Sequence, residues 1–393
     1  MTTPSQAVQT GYHSADDLDI GELARLANLA DEPDRYRHAM GIEGGVVVYD
    51  ANALSATPAT GAGRRAVMSE IAYALGPGPG AVLFRSAMSV EVVERASAAF
   101  DTMIVEEAAG GATAADHFAV AGANDRVWNT FEKLAVAAPD VFVDYFRCSS
   151  LALGAEAWLG PGYQISSQVN VVKPGGAAQS PHRDYHLGFM SNAEAEQFPA
   201  HVHWLSPALT LQGAVAHVDM PIESGPTKLL PHSQKFPAGY VAWRDPRVIE
   251  LFEANFVQVA LAAGDLLFFN PAVLHAGGQN RTPDVQRMAN LFQISSAFGR
   301  AMENIDRARI VRSIYPTLLK RQEDGWDSET LATVVAAAAH GYAFPGNLDR
   351  DPPTDAGLAP ASQAVIVSNA LAAGWPIAEL TEALDALEMR QRT

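Results

Sequence analysis

The order of apolar and polar positions divides the chain into two helical ends and a middle part with strand-like runs. Apolar residues three or four positions apart predict helices over IGELARLANLADEPDRYRHAM (20–40) and, after residue 296, over RAMENIDRARIVRSIYPTLLKRQ, SETLATVVAAAAHGYA and SQAVIVSNALAAGWPIAELTEALDALEMR. Residues 85–160 are also predicted to be mainly helical. In contrast, the apolar run LTLQGAVAHVDM (209–220) indicates a buried strand.

A Gly/Pro-rich link, GPGPG (76–80), marks the first boundary along the chain. We expect an N-terminal helical extension over 1–79, a core over 80–298 that carries the chemistry, and a C-terminal helical extension over 299–393. Alanine-rich amphipathic helices such as those predicted after residue 296 usually pack on a domain or on a second subunit. A homo-oligomer formed through the terminal helices is therefore one expectation.

Composition and charge narrow the class of protein. A hydrophobic content of 48% is sufficient for a large core, and a net charge of −17 argues against non-specific nucleic-acid binding because phosphates would be repelled. Cys148 is the only cysteine, which rules out an intramolecular disulfide and fits a reducing, cytoplasmic location. The sequence has no run of 18 apolar residues and no basic-then-apolar leader, so neither a membrane span nor a secretory signal is expected.

Two segments carry candidate metal ligands, PHRDYHLGF (181–189) and GDLLFFNPAVLHAGG (264–278). In a strand, residues i and i+2 point to the same side, so His182 and Asp184 can bind one ion together with a distant His275. Two histidines and one carboxylate form the facial triad of non-haem Fe(II) oxygenases. A competing His-x-Asp pair, His217 and Asp219, lies in the apolar run that reads as a buried strand. A metal-free barrel with satisfied polar groups is the remaining alternative.

The stretch from 80 to 297 resembles the phytanoyl-CoA dioxygenase family of Fe(II)/2-oxoglutarate oxygenases. Five segments in the family's order carry the resemblance: GAVLFRSAMSVEVVERASAAFDTMIVEE (80–107), SQVNVVKPGG (167–176), HRD (182–184), ESGPTKLLPHSQKF (223–236) and GDLLFFNPAVLHAGGQN (264–280). The resemblance implies a mainly β core with α additions, built as a double-stranded β-helix of the jelly-roll and cupin type. It also implies Fe(II), 2-oxoglutarate as co-substrate and O2.

A cation for the distal carboxylate of 2-oxoglutarate is expected after His275. The family's arginine lies about eleven residues beyond this histidine, which points to Arg287, whereas Arg281 lies in a turn-rich loop and is the alternative. The guanidinium fork matches a carboxylate in a bidentate manner. Further candidate contacts to the co-substrate are Gln168, Asn170 and Thr227. The chain departs from the family at PHSQ (231–234), where PGSH is usual, and at Gly277, where a hydroxyl residue is usual.

The resemblance implies oxidation of a small molecule with formation of succinate and CO2. Because Asp184 is present, hydroxylation is favoured over halogenation; desaturation, cyclisation or epoxidation, or a cupin-like non-oxygenase or binding module, stay open. His186 and Trp204 are candidate substrate contacts, and residues 190–206 are predicted to form a lid. With no basic run in that segment, we expect a neutral or cationic substrate rather than an acyl-CoA.

Overall fold

The computed structural model describes residues 11–30, 32–55, 61–109, 124–353 and 357–392. Its strands β1–β10 are Gly41–Glu43, Val46–Asp50, Ala81–Arg85, Asn124–Val127, Gln164–Val172, Thr210–Ala216, Lys228–Leu230, Leu266–Phe269, Leu274–Ala276 and Arg287–Ser295. Its helices α1–α15 are Ile20–Ala27, Ala51–Ser55, Ala62–Leu75, Val90–Ala109, Thr130–Ala137, Pro139–Phe146, Ser149–Leu159, Asn192–Ala195, Ala200–Ala208, Gly239–Ala242, Pro246–Asn255, Arg307–Glu323, Ser328–Ala338, Gln363–Ala373 and Ile377–Gln391. Short 3-10 helices lie at Pro33–Arg35, Ile222–Ser224 and Ser233–Lys235.

Two β-sheets form the core. The major sheet has eight strands in the order β1-β2-β3-β8-β6-β10-β5-β4, and its long strand β10 pairs antiparallel with both β5 and β6. The minor sheet consists of β7 and β9, which are extended by single bridges from His182 to His275 and from Leu229 to Val257. The fold is the predicted jelly-roll core with α additions.

Side chains of the major sheet alternate between a helical layer and a polar cavity. On β5, the apolar Ile165, Val169 and Val171 belong to the large core, whereas Gln168 and Asn170 line the cavity. The same alternation holds on β6 and β10, because successive residues of a strand point to opposite faces. The large core also contains residues of helices α4–α7 and α12–α15, so these helices cover one face of the sheet and leave the other for the site.

The N-terminal part is not purely helical, which corrects the description of 1–79 as a helical extension. The apolar, β-branched run VVVYD forms β2, whose residues Val46 to Tyr49 are buried and which pairs parallel with β3. Strand β1 then pairs antiparallel with β2 at the edge of the sheet. Within 85–160, β4 likewise interrupts the predicted helices by pairing with β5. The predicted C-terminal helices are present as α12 to α15.

Among the helices that the structure describes, none combines the length and the apolar character needed to cross a membrane.

Candidate metal centre and its cavity

The minor sheet places the two candidate histidine ligands opposite each other. His182 and His275 exchange both backbone hydrogen bonds, with N–O distances of 2.9 and 3.0 Å. They are therefore a directly facing antiparallel pair, the arrangement that brings two side chains of distant chain segments onto one face. Asp184 follows two residues later, and its backbone N donates to the Pro271 carbonyl at 3.2 Å.

The three side chains converge on one point. One ligand atom of each of His182, Asp184 and His275 lies within 4.8 Å of the others, and all three residues are buried. The Asp184 carboxylate oxygens lie 3.7 Å from Nε2 of His182 and 3.8 Å from Nε2 of His275. Two histidines and one carboxylate at these separations match the donor set of a non-haem iron centre.

Hydrogen bonds orient each candidate ligand. Nδ1 of His182 donates to the Ser180 carbonyl at 2.8 Å, and Nδ1 of His275 donates to the Val273 carbonyl at 2.9 Å. Each ring therefore directs the lone pair of Nε2 towards the shared point. Burial, and then the neighbouring His182, lower the pKa of His275 to about 4, which keeps its imidazole in the neutral form that binds metal.

The Asp184 carboxylate has a free oxygen that fits a bound cation. Its Oδ2 accepts a hydrogen bond of 2.7 Å from Nε2 of Gln212, but its Oδ1 is buried and has no hydrogen-bond partner. An unpaired, buried carboxylate oxygen is costly unless a cation or a donor satisfies it. The donor set and this oxygen together fit a divalent metal ion.

The competing pair His217 and Asp219 does not form a site. His217 is buried, with Nδ1 2.8 Å from the Ser97 hydroxyl and Nε2 2.9 Å from the Tyr145 hydroxyl, so both ring nitrogens are occupied. Burial lowers its pKa to about 3. Asp219 is exposed and accepts from the backbone N of Ala263. The pair is structural.

A cavity of about 130 Å³ opens from the candidate metal ligands between the two sheets. Its lining includes the sequence-predicted Gln168, Asn170, Thr227 and Arg287 together with His182, Asp184 and His275. The further lining residues, which were not predicted as site residues from the sequence, include Arg126, Trp128, Gln179, Phe189, Gln212, Gln293 and Met302.

Arg287 is a buried cation without an acidic partner among the described residues. It is 8% exposed at the first residue of β10, and its Nη1 donates to the carbonyls of Ser224 and Gly278 at 3.1 and 3.0 Å. Burial lowers its pKa to about 10, so it stays charged near neutral pH. The alternative Arg281 is exposed and does not line the cavity.

Amide side chains supply most of the other polar groups of the cavity. Gln179 occupies the space beside Gly277: its Oε1 accepts from the Gly277 backbone N at 2.8 Å and lies 3.0 Å from the point where a Cβ would be. The hydroxyl residue usual in the family would therefore crowd Gln179. Asn170, Gln212 and Gln293 each have a buried side-chain oxygen without a partner.

Neither predicted substrate residue lines this cavity. His182 makes a single bridge and the chain turns after Asp184, so His186 adopts a left-handed conformation (φ 55°) in which Nδ1 lies 3.1 Å from the Thr210 hydroxyl. The assumption that His186 shares the face of His182 on a strand is thus wrong. Trp204 is 69% exposed and lines a different cavity.

Residues 190–206, the predicted lid, form α8 and most of α9, and none of them lines the cavity. They are attached to the N-terminal segment and to Arg244. Oε1 of Glu196 accepts from the backbone N of Ala15 at 2.6 Å, and Nη2 of Arg244 donates to the Met190 carbonyl at 2.6 Å. Phe189, just before this segment, is half exposed and does line the cavity.

Comparisons with known proteins give one matching family and several solved structures with a similar fold. The family model described as phytanoyl-CoA dioxygenase (PhyH) matches residues 78–289. Among solved structures, the fold is similar to SnoN, the non-haem α-ketoglutarate-dependent epimerase from nogalamycin biosynthesis, with 20% identity, a TM-score of 0.41, and coverage of 59% of this chain and 82% of that one. The carbocyclase SnoK from the same biosynthesis has 19% identity, a TM-score of 0.41, and coverage of 57% and 83%.

A third similar structure, AviO1 from Streptomyces viridochromogenes Tue57, has 18% identity, a TM-score of 0.41, and coverage of 57% of this chain and 92% of that one. No curated protein matches the chain.

A jelly-roll core with a His-Asp-His centre defines the class as a non-haem, 2-oxoglutarate-dependent oxygenase. Since the family model covers more than half of the 393 residues, the chain belongs to the phytanoyl-CoA dioxygenase family. Its cofactors are those of the family: Fe(II), 2-oxoglutarate as co-substrate, and O2.

Proposed function

We propose that this enzyme hydroxylates an unactivated C–H bond of a small molecule, with 2-oxoglutarate converted to succinate and CO2. One observation carries the proposal: a buried, charged Arg287 without an acidic partner among the described residues lines the same cavity as Asp184, whose buried Oδ1 also lacks a partner. A metal ion at Asp184 and a dicarboxylate that reaches Arg287 would satisfy both groups.

Each residue then has a defined task. His182, Asp184 and His275 would hold Fe(II), which supplies the O2-activating chemistry when bound. Arg287 would bind the distal carboxylate of 2-oxoglutarate with its remaining N–H groups, while Nη1 stays fixed by two backbone carbonyls. Gln168, Asn170 and Thr227 line the cavity and would donate hydrogen bonds to the co-substrate.

Gln212 is a positioning residue in this scheme. Its Nε2 hydrogen bond to Asp184 fixes the carboxylate plane, so that Oδ1 is presented to the metal. Hydroxylation is favoured over halogenation because Asp184 fills the position that a halide would need. Desaturation, cyclisation or epoxidation is the second candidate, since these reactions share the same centre and differ in what the substrate does after hydrogen removal.

The cavity favours a neutral or anionic substrate, which revises the expectation of a cationic one. Asp184 is the only carboxylate that lines the cavity among the described residues, and a metal would neutralise it. The walls instead offer Arg126, which lies over the ring of Trp128 at 5.3 Å, and the apolar side chains of Phe189 and Met302. Among the residues that the structure describes, no counter-ion other than Asp184 would face a cationic group there.

The test is co-substrate turnover and product mass. The purified protein is incubated with Fe(II), ascorbate, 2-oxoglutarate and a panel of small neutral and anionic compounds, and succinate is quantified. A substrate is expected to stimulate succinate formation and to gain one oxygen atom from 18O2. The Asp184→Ala variant is the negative control.

Two outcomes would decide against the proposal. If the Fe(II)-loaded protein does not bind 2-oxoglutarate, the protein is a metal-binding module of another kind. If the product loses two hydrogens without gaining oxygen, the centre performs desaturation or cyclisation instead of hydroxylation.

A further inference from the structure

A second cavity lies apart from the candidate metal centre and shares no lining residue with the first. It encloses about 350 Å³ and opens beside the exposed Trp204. Arg183, between the candidate ligands His182 and Asp184, lines this second cavity, whereas its two neighbours line the first. Successive residues of an extended segment point to opposite sides, which explains why one tripeptide serves two cavities.

Arg183 is a fully buried cation that lacks an acidic partner among the described residues. It is 1% exposed, its Nη2 donates to the carbonyls of Ser233 and Phe236, and its Nε is buried with no hydrogen-bond partner. Arg307 is a useful contrast, since its two Nη atoms donate to the carbonyls of Ala337, Ala338 and Ile165, and it has no unpaired buried nitrogen. Arg307 is satisfied by backbone alone, and Arg183 is not.

The surroundings of Arg183 are apolar and lack an acidic group among the described residues. Lys235 also lines the second cavity, but its Nζ lies 2.9 Å from Nδ1 of His232, which lines a different cavity. The other walls are largely apolar and aromatic, including Trp158, Trp204 and Phe236. Trp204 is 69% exposed, a large apolar surface to leave in water, and it stands at the same opening. A buried unpaired cation at one end and apolar walls at the other complement an amphipathic anion.

We propose that the second cavity binds a small organic anion, with its carboxylate or sulfonate at Arg183 and its apolar or aromatic body against Trp204 and Phe236. At about 30 Å³ for each water-sized group, the volume of the cavity accommodates roughly a dozen non-hydrogen atoms. An aryl-alkyl carboxylate has this size and this separation of charge from apolar surface. The site is distinct from the one that holds the co-substrate.

Isothermal titration calorimetry with 4-phenylbutyrate tests the proposal. Saturating 2-oxoglutarate and Zn²⁺ are present throughout to occupy the first cavity. We expect one saturable binding event per chain, and binding at least about tenfold weaker for the neutral 4-phenylbutanamide, because a hydrogen bond to a charged group is lost. Arg183→Gln should weaken 4-phenylbutyrate binding by a similar factor.

A second variant guards against misfolding of Arg183→Gln, whose side chain is buried. Ala208 is exposed at the opening of the second cavity, so Ala208→Trp can fill it without disturbing the core. Ala208→Trp should abolish saturable binding, while Arg281→Gln, a change at an exposed arginine away from both cavities, should not alter it. The proposal is overturned if 4-phenylbutyrate shows no saturable binding, if the amide binds as tightly as the acid, or if Ala208→Trp retains full affinity.

Discussion

Replacing Arg287 tests whether its guanidinium binds 2-oxoglutarate or stabilises the fold. Arg287→Met keeps most of the apolar stem and removes the guanidinium. Burial lowers the pKa of Arg287 below its ordinary value to about 10, which corresponds to a cost of burying the charge of about 3 kcal/mol in the absence of ligand, at 1.36 kcal/mol per pKa unit. Methionine removes this cost but leaves the carbonyls of Ser224 and Gly278 without their donor. The two effects oppose each other, so the net change in stability should be small.

The effect on co-substrate binding should be large. A charge-assisted contact to a carboxylate is worth about 1.5–3 kcal/mol, which is about a 10- to 150-fold increase in the Kd for 2-oxoglutarate. In contrast, the Tm of the free protein should move by only about 2–4 °C for each kcal/mol of net change. The assays are calorimetric titration of the metal-loaded protein with 2-oxoglutarate and thermal unfolding with and without it.

Arg281→Met is the matched control, since Arg281 is exposed and lies outside the cavity. It should leave both the Kd and the Tm unchanged. Arg287 does not bind the co-substrate if the two variants bind 2-oxoglutarate equally well. If Arg287→Met unfolds the protein, Arg287 is a structural cation.

Three further predictions concern the metal ligands, their support and the buried histidine. Asp184→Ala or His275→Ala should abolish turnover and Zn²⁺ binding by calorimetry with the circular dichroism spectrum unchanged; retained metal binding would contradict the assignment. Gln212→Leu should weaken metal affinity by about 10- to 100-fold through loss of the hydrogen bond to Asp184, and an unchanged affinity would exclude a positioning role. Burial lowers the pKa of His217 to about 3, so its imidazole takes up a proton on unfolding below pH 6.5, and the protein should lose about 2 kcal/mol of stability between pH 8 and pH 5. His217→Phe should make the free energy of unfolding from urea denaturation less dependent on pH in this range. An identical pH slope would show that His217 does not titrate on unfolding.

Regular strands made part of the cavity predictable from sequence. Gln168 and Asn170 were placed on one face because they are two residues apart, and β5 is regular over nine residues, so both do line the cavity. The same rule was wrong for His186, because the chain leaves the extended conformation after Asp184. The two-residue rule holds only where a second strand fixes the backbone, and the segment after Asp184 has no such neighbour.

Two glutamines within apolar strands could have been predicted from the sequence to line the cavity. Gln212 and Gln293 interrupt the runs LTLQGAV and NLFQIS, and both lie on the cavity face with buried amide oxygens. A buried amide in an otherwise apolar strand requires a partner, which is a reason to place it at a polar cavity. By contrast, Trp128 lies directly after β4 and Met302 lies in the segment before α12, and no local pattern predicts that these distant segments meet at the cavity.

The tripeptide His182-Arg183-Asp184 contributes side chains to two separate cavities. His182 and Asp184 match a metal-binding pattern, and no role was predicted for Arg183 between them. Alternation along the extended backbone places the Arg183 side chain on the side opposite the candidate metal ligands. Its hydrogen-bond acceptors lie 50 and 53 residues later in the chain, where the carbonyls of Ser233 and Phe236 accept from Nη2, and its Nε has no partner. The buried, unpaired Nε of Arg183 therefore favours an anion-binding role that is separate from the metal-binding role of its two neighbours.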